Sequence, residues 1–349
     1  MKPINIIFKI FIFTLTFLNL LTYSHSKILD FNKDAKNISN YFSGSVAFNN
    51  FDYITSKKYF DKFNKSEKNN QKLSSSFLKS LINLQKYDDA VLYSKNLENK
   101  NLSNFESLLF LGLSEFKNKN YIKAKFYFNE LKPNFENQLV FAPLKLSLMN
   151  WSEIMISNNA SDIKIIQSTP NNFGSFKSIQ EVFAYCYFDN HDVDTKFAKI
   201  IKDEGDKFYR YNFFYANYLI KKNRIKEAAS ILNSSTNKYP RNLLINQLRE
   251  NLKNNYKNKN KFSCQNPEDI LAEIFYTFAN ALSVQKKFEL SNLYINISKY
   301  LNPNFMSYNA LLAENLLMLG KKETSKKMFL KLFEIGSFYK WHSAKEIAL

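Results

Sequence analysis

The sequence predicts an all-α fold built from stacked pairs of antiparallel helices, and three observations carry that expectation. The 349 residues hold only six glycines and seven prolines beside 45% hydrophobic and 16% aromatic residues. That is ample material for a core, and too few turn formers for an all-β sandwich with its many hairpins. Apolar residues recur at the i, i+3, i+4, i+7 spacing of amphipathic helices. The pattern also repeats itself every 34 residues, the mark of a helical-repeat chain.

Taking the chain in order, Met1 to Ser26 carries Lys2 and Lys9 but no acid, followed by an apolar run from Ile10 to Leu21 and then Tyr23-Ser24-His25-Ser26. This is the pattern of a signal peptide, with small Ser24 and Ser26 placed for cleavage after residue 26. An uncleaved N-terminal membrane anchor is the alternative, since Ile4 to Ile7 could lengthen the run. No Cys follows the run to carry a lipid. The expected mature chain is soluble and periplasmic or secreted. Its net charge falls from +18 by the two lysines to +16. Lys, Asn, Ile and Phe are abundant throughout, so part of that charge reflects composition; it remains compatible with a peripheral contact to anionic membrane or cell wall.

The segments FNNFDYITSKKYFDKF, LQKYDDAVLYSKNLE and FKNKNYIKAKFYFNEL align without gaps. Tyr53, Tyr87 and Tyr121 fall in one column, Ser56, Ala90 and Ala124 in a second, Phe63, Leu97 and Leu131 in a third, and Gly44, Leu78 and Gly112 in a fourth. In each unit the small residues let two helices approach closely and a large one such as Phe128 fills the space between units.

Leu108, Gly112, Tyr121, Ala124 and Phe128 closely resemble the signature of the tetratricopeptide repeat, as do Ala216, Ala228, Leu232 and Pro240, and two later units with Ala279, Phe288, Ser291, Pro303, Ala313, Ser325 and Phe329. The resemblance covers about six units and implies a right-handed superhelical solenoid of helix pairs with irregular middle units. Ser56, Ser291 and Ser325 stand where the signature has Ala, and Leu78 where it has a small residue, so looser packing is expected there. The implied organisation is a leader at 1–26, N-terminal repeats at 27–137, degenerate helical repeats at 138–206, a repeat and following helix at 207–252, a solvated basic linker at 253–266, and C-terminal repeats with a terminal helix at 267–349. Asn158 to Ser175, broken by Pro170 and Gly174, reads as a loop or irregular unit.

The family's geometry implies a concave groove lined by the first helix of each pair. It places Tyr41, Phe48, Lys79, Leu109, Phe116, Phe213, Asn217, Tyr276, Asn280 and Glu314 toward the groove, with Lys117 and Lys221 as further basic accents that would act together only if they converge. Such a mixture suits a protein or peptide ligand, with apolar side chains in pockets and Asn or Lys on its backbone or acids. Tyr41 and Ser45 stand where the family's Lys and Asn clamp a terminal carboxylate, so that ligand is not expected.

Chemistry is scarce. No two glycines are close enough for a nucleotide loop, and H-E-x-x-H, C-x-x-C and G-x-S-x-G are absent, so neither an enzyme, a cofactor nor a metal is expected. His191, flanked by Asp189, Asp192 and Asp194, suggests a metal site but reads more simply as a turn between repeat helices. Nucleic-acid binding is not expected of an exported chain. Cys186 and Cys264 could pair in an oxidising compartment, while Cys186 also reads as a small core residue and Cys264 as part of the linker. The function expected is a scaffold for a protein or peptide in cell-envelope assembly or maintenance. A peptidoglycan- or glycan-binding accessory or cell-wall enzyme is the alternative.

Overall fold

The computed structural model describes residues 31–348 apart from 65–70, 135–136, 171–174 and 204–207; the expected leader lies outside the described residues. The chain is all-α among those residues, with one isolated bridge between Asn260 and Phe305. It divides into two compact units, residues 1–77 and 78–349.

In the first unit, α1 (Phe31–Asn49) packs on α2 (Tyr53–Asn64), and α3 (Gln71–Asn83) begins and runs on into the second unit. Phe60 is fully buried, seated on the backbone of Gly44 and edge-on to Phe77 at 6.4 Å.

The second unit continues with α4 (Tyr87–Asn99), α5 (Phe105–Lys117), α6 (Tyr121–Asn129), α7 (Gln138–Ser157), the short α8 (Ile163–Gln167), α9 (Ser175–Tyr187), α10 (Val193–Asp203), α11 (Arg210–Lys221), α12 (Ile225–Lys238) and α13 (Leu243–Lys253). It ends with α14 (Pro267–Val284), α15 (Phe288–Leu301), α16 (Tyr308–Met318), α17 (Lys322–Leu332) and α18 (Ser337–Ala348). Successive helices pack as adjacent hairpins. Local sequence sets their ends. Asn104 and Ser107 cap α5 reciprocally, each side chain bonded to the other's backbone N–H at 2.9 Å. Pro267 opens α14, with Glu268 and Asp269 in its first turn.

The hairpin turns share a feature invisible in the residue columns. Phe51, Gln85 and Lys119, then Asp189 and Asn223, then Lys286 and Gly320 all have left-handed φ, at a spacing of 34 within each group. The backbone closes there by bonds such as Lys119 N–H to Phe116 O (2.9 Å) and Asn120 N–H to Glu115 O (2.9 Å). The middle stretch at 138–206, poor in matching columns, thus keeps the repeat's turn.

Close packing follows the small-residue logic. A Cβ at Gly112 would overlap the Phe128 ring. The looser packing expected at Ser291 and Ser325 is not found: both are buried and donate to Ala279 O and Ala313 O, each at 2.7 Å, tying the two helices of a hairpin together. Leu78 is also fully buried. Helix α7 is long and apolar enough by length and composition to cross a membrane, but half of that stretch is buried inside the protein, where α7 packs on α6 and α14.

The larger departure from a simple solenoid, in which each repeat touches only its neighbours, is that the second unit doubles back. Tyr87 donates to Asn296 O (2.9 Å), Asn296 Nδ2 to Asn83 Oδ1 (3.0 Å), and Lys117 Nζ to Tyr300 O (2.9 Å). The Tyr300 ring lies 4.9 Å from both Tyr87 and Phe110. Helix α15 therefore rests on the inner side of α4 and α5, while α18 closes on α13 through Phe338 N–H to Gln247 Oε1 (3.1 Å).

The segment expected to be a solvated linker has two halves. Residues 253–257 are exposed, as expected, but Asn260, Phe262 and Cys264 are buried. The correction has a physical cause in the backbone bonds of this strap: Asn217 Nδ2 donates to Phe262 O (2.9 Å), Asn302 Nδ2 to Lys261 O (2.9 Å), and Gln265 Nε2 to Cys186 O (3.0 Å). Cys186 and Cys264 form a disulfide, with Cα atoms 5.7 Å apart and a separation of 78 positions in sequence. Closing a loop of that length in the unfolded chain stabilises the fold by about 4 kcal/mol in the chain-entropy model.

Candidate functional site: an aromatic cleft on the inner face

The expected groove residues fall into separate environments. In the first unit, Phe48 is buried with its ring 5.8 Å from Tyr53, and Tyr41 is half-buried against Phe42 and Phe63. In the second, Leu109, Phe116 and Phe213 are essentially unexposed; they belong to the core and line no open groove. At Phe213 an aromatic ring from a distant part of the same chain stands where a ligand was expected. Phe213, for example, packs edge-on against Phe305 at 5.7 Å. Asn217 is spent on the strap carbonyl.

The three lysines do not converge. Lys79 is buried 3.7 Å from Glu106 and 3.9 Å from Glu289, in the first turn of α15. Lys117 meets the last-turn carbonyl of Tyr300 in the same helix, with its ammonium 4.4 Å from that ring's centre. Lys221 faces Asp269 in the first turn of α14. Burial lowers the pKa of both Lys117 and Lys221. Cations thus meet acids at two helix starts and a carbonyl at one helix end, matching the local charge on each.

Tyr276 and Asn280 reach open space. They lie on α14 in a cleft of about 740 Å³ whose walls come from α11, the turn into α13, α14, α16 and α18. At its floor Arg210 is fixed to the fully buried Glu273 by two bonds, Nε to Oε1 (2.6 Å) and Nη2 to Oε2 (2.9 Å). The guanidinium lies 4.1 Å from the Tyr276 ring centre and 5.3 Å from that of Phe305. Burial works against the cation, but the Glu273 charge and hydrogen bonds more than offset it and raise the Arg210 pKa. Burial also pushes the Tyr276 phenol up to about 12. The pair is therefore charged but internally neutralised.

Around this floor stand Tyr209 and Tyr239, ring centres 5.1 Å apart, with the exposed Arg241 and Asn280. Glu314 lies on the α16 wall, half-exposed and 3.6 Å from His342 Nε2. Tyr339 and Ser307 close the back through a hydroxyl–hydroxyl contact of 2.5 Å. Tyr209, Arg210, Tyr239, Arg241 and His342 escape the groove columns because they stand at helix starts, in the turn before α13 and on the terminal helix. A signal was available: the chain has four arginines, and Tyr209-Arg210 and Tyr239-Pro240-Arg241 each set one beside a tyrosine.

The cleft can take up an apolar or aromatic group and offers hydrogen-bond donors and one carboxylate. No cluster of three or more metal-ligating side chains occurs among the described residues. His191 is exposed, 3.4 Å from Asp192, in the turn the sequence suggests. No protein-family model matches the chain, and no curated protein matches it.

Proposed function

We propose that the chain is an exported helical-repeat scaffold of tetratricopeptide type that holds a segment of a partner protein in the cleft beside Tyr276 and Asn280, in cell-envelope assembly or maintenance. The observation that carries this reading is the open aromatic cleft at Tyr276 and Asn280, while the expected groove residues Leu109, Phe116 and Phe213 are buried. A cavity of this size with an apolar lining and a few convergent polar groups is the usual form of a binding site. The disulfide supports export, because such bonds persist in oxidising compartments. Together with the leader pattern at 1–26, it favours the periplasm or the exterior.

The test is photocrosslinking in intact cells. A benzophenone amino acid at Asn280 should capture a discrete protein partner. The same probe at Leu92, which is 70% exposed on α4, should not. Absence of a protein adduct from Asn280, or the same adducts from both positions, would sink the proposal. The pairing of exposed Tyr209 with half-buried Tyr239 favours one second reading, a glycan-binding accessory. Sedimentation of the purified chain with peptidoglycan, lost on Tyr209→Ala, would move the conclusion there.

A further inference from the structure

We infer that the cleft selects a peptide segment carrying an internal carboxylate beside an apolar side chain, with Arg241 as its charged reader and Arg210 as a fixed donor beneath. This rests on the cleft being the binding site. Two arginines reach the cleft in different states. Arg210 is immobilised, its Nε and Nη2 held by Glu273, and its Nη1 makes no hydrogen bond. Arg210 itself is among the residues that line the cleft. A guanidinium clamped on one edge and stacked on Tyr276 has already lost its rotamer freedom, so a ligand that accepts from Nη1 does not have to order it.

Arg241 is exposed at the mouth and makes no ion pair or hydrogen bond among the described residues. With Arg210 neutralised by Glu273, Arg241 is the uncompensated cation of the cleft. An acceptor with planar, two-oxygen geometry matches its fork of donors. The Tyr209 and Tyr239 rings beside it provide an apolar platform. Glu314, which also lines the cleft, disfavours a second acid, which defines the ligand as singly acidic and otherwise apolar. The net charge of +16 expected of the mature chain, +18 less Lys2 and Lys9, adds long-range attraction for such a segment.

The experiment uses the full mature chain and two fluorescent peptides capped at both termini, Gly-Phe-Asp-Leu-Gly and its Asn counterpart, read by anisotropy at moderate salt. The expected result is about five- to tenfold tighter binding of the Asp peptide, the size of one charge-assisted hydrogen bond. Arg241→Gln should erase that difference, so that the Asp and Asn peptides bind equally. Glu314→Gln should tighten the Asp peptide a fewfold. Both variants alter exposed side chains, so folding is preserved, and circular dichroism checks it. Equal affinity of the two peptides for the unaltered chain overturns the inference and leaves the cleft reading standing. Failure of both to bind at about 1 mM overturns it as well. Failure of the Asn280 crosslink is what removes the cleft reading itself.

Discussion

Phe116 on α5 and Asn280 on α14 both stand at expected groove positions of a first helix, four residues after Gly112 and one after Ala279, and they meet opposite fates. Phe116 is fully buried, its ring 5.1 Å from Tyr121, in the region where the returning α15 lies across the inner face. Asn280 is exposed on the wall of a cleft that nothing in the second unit fills among the described residues. One repeat geometry yields core at one place and an open cleft at the other. At Phe213 the covering ring is non-local, Phe305 lying 92 positions further along the chain.

The strongest way to break this comparison is to truncate both members. Phe116→Ala should cost about 3–5 kcal/mol in denaturant unfolding, the range for emptying a buried aromatic site. Asn280→Ala should stay within about 0.5 kcal/mol of the parent. Equal effects at the two positions would mean that the filled and open regions are not distinct.

A smaller effect probes how the returning hairpin is anchored. Asp269, in the first turn of α14, accepts from Ser263 N–H and Asn266 Nδ2, each at 2.8 Å, yet burial raises its carboxyl to about 6. A folded-state pKa above the unfolded value means that the native state holds the proton more tightly. The associated stability is fully present below about pH 4, the unfolded value, and is lost as pH rises through 6. Lowering the pH from 7 to 5 should therefore add about 1 kcal/mol at this group, opposite in sign to ordinary acid denaturation. Asp269→Asn should remove that component of the pH profile measured by urea melts; an unchanged profile would show that Asp269 is not the group responsible.

The smallest effect concerns the turns. Lys119 sits at φ 63°, where a side chain is strained and glycine is not. Lys119→Gly should raise stability by about 0.5–1 kcal/mol, less than the full strain because glycine also loosens the unfolded chain. A loss of stability on that substitution would show that the Lys119 side chain contributes more than its backbone strain costs.

These contrasts also explain what could be read in advance. The helix pairs were legible because Gly112, Ala124 and Phe128 encode a distance between backbones in residue size, and size survives in a one-dimensional sequence. The turn register was not: Phe51, Gln85, Lys119, Asp189, Asn223 and Lys286 adopt one backbone conformation with unrelated side chains. Ser291 and Ser325 pack tightly in place of Ala because their hydroxyls find carbonyls across a hairpin, a pairing that the residue type alone does not reveal. Tyr276 and Asn280 were legible from the groove pattern, while Arg210 and Arg241 were not, since partners such as Glu273 lie 63 residues away. The fate of Phe213 turns on Phe305, a ring that no local pattern specifies.

The doubling back has a consequence for biosynthesis. Tyr87 meets Asn296 across 209 residues and Lys117 meets Tyr300 across 183. Contacts of that range fold slowly, because the loop must close before they reward it. While the chain is being made from its N-terminus, Tyr87 and Phe110 wait without Tyr300, the residue that covers them, and the Cys186 thiol waits for Cys264. The nascent repeats therefore pass through a period of exposed apolar surface in which holdase chaperones and thiol oxidants act on yield. Production of this protein should depend on that interval more than on the stability of the finished fold.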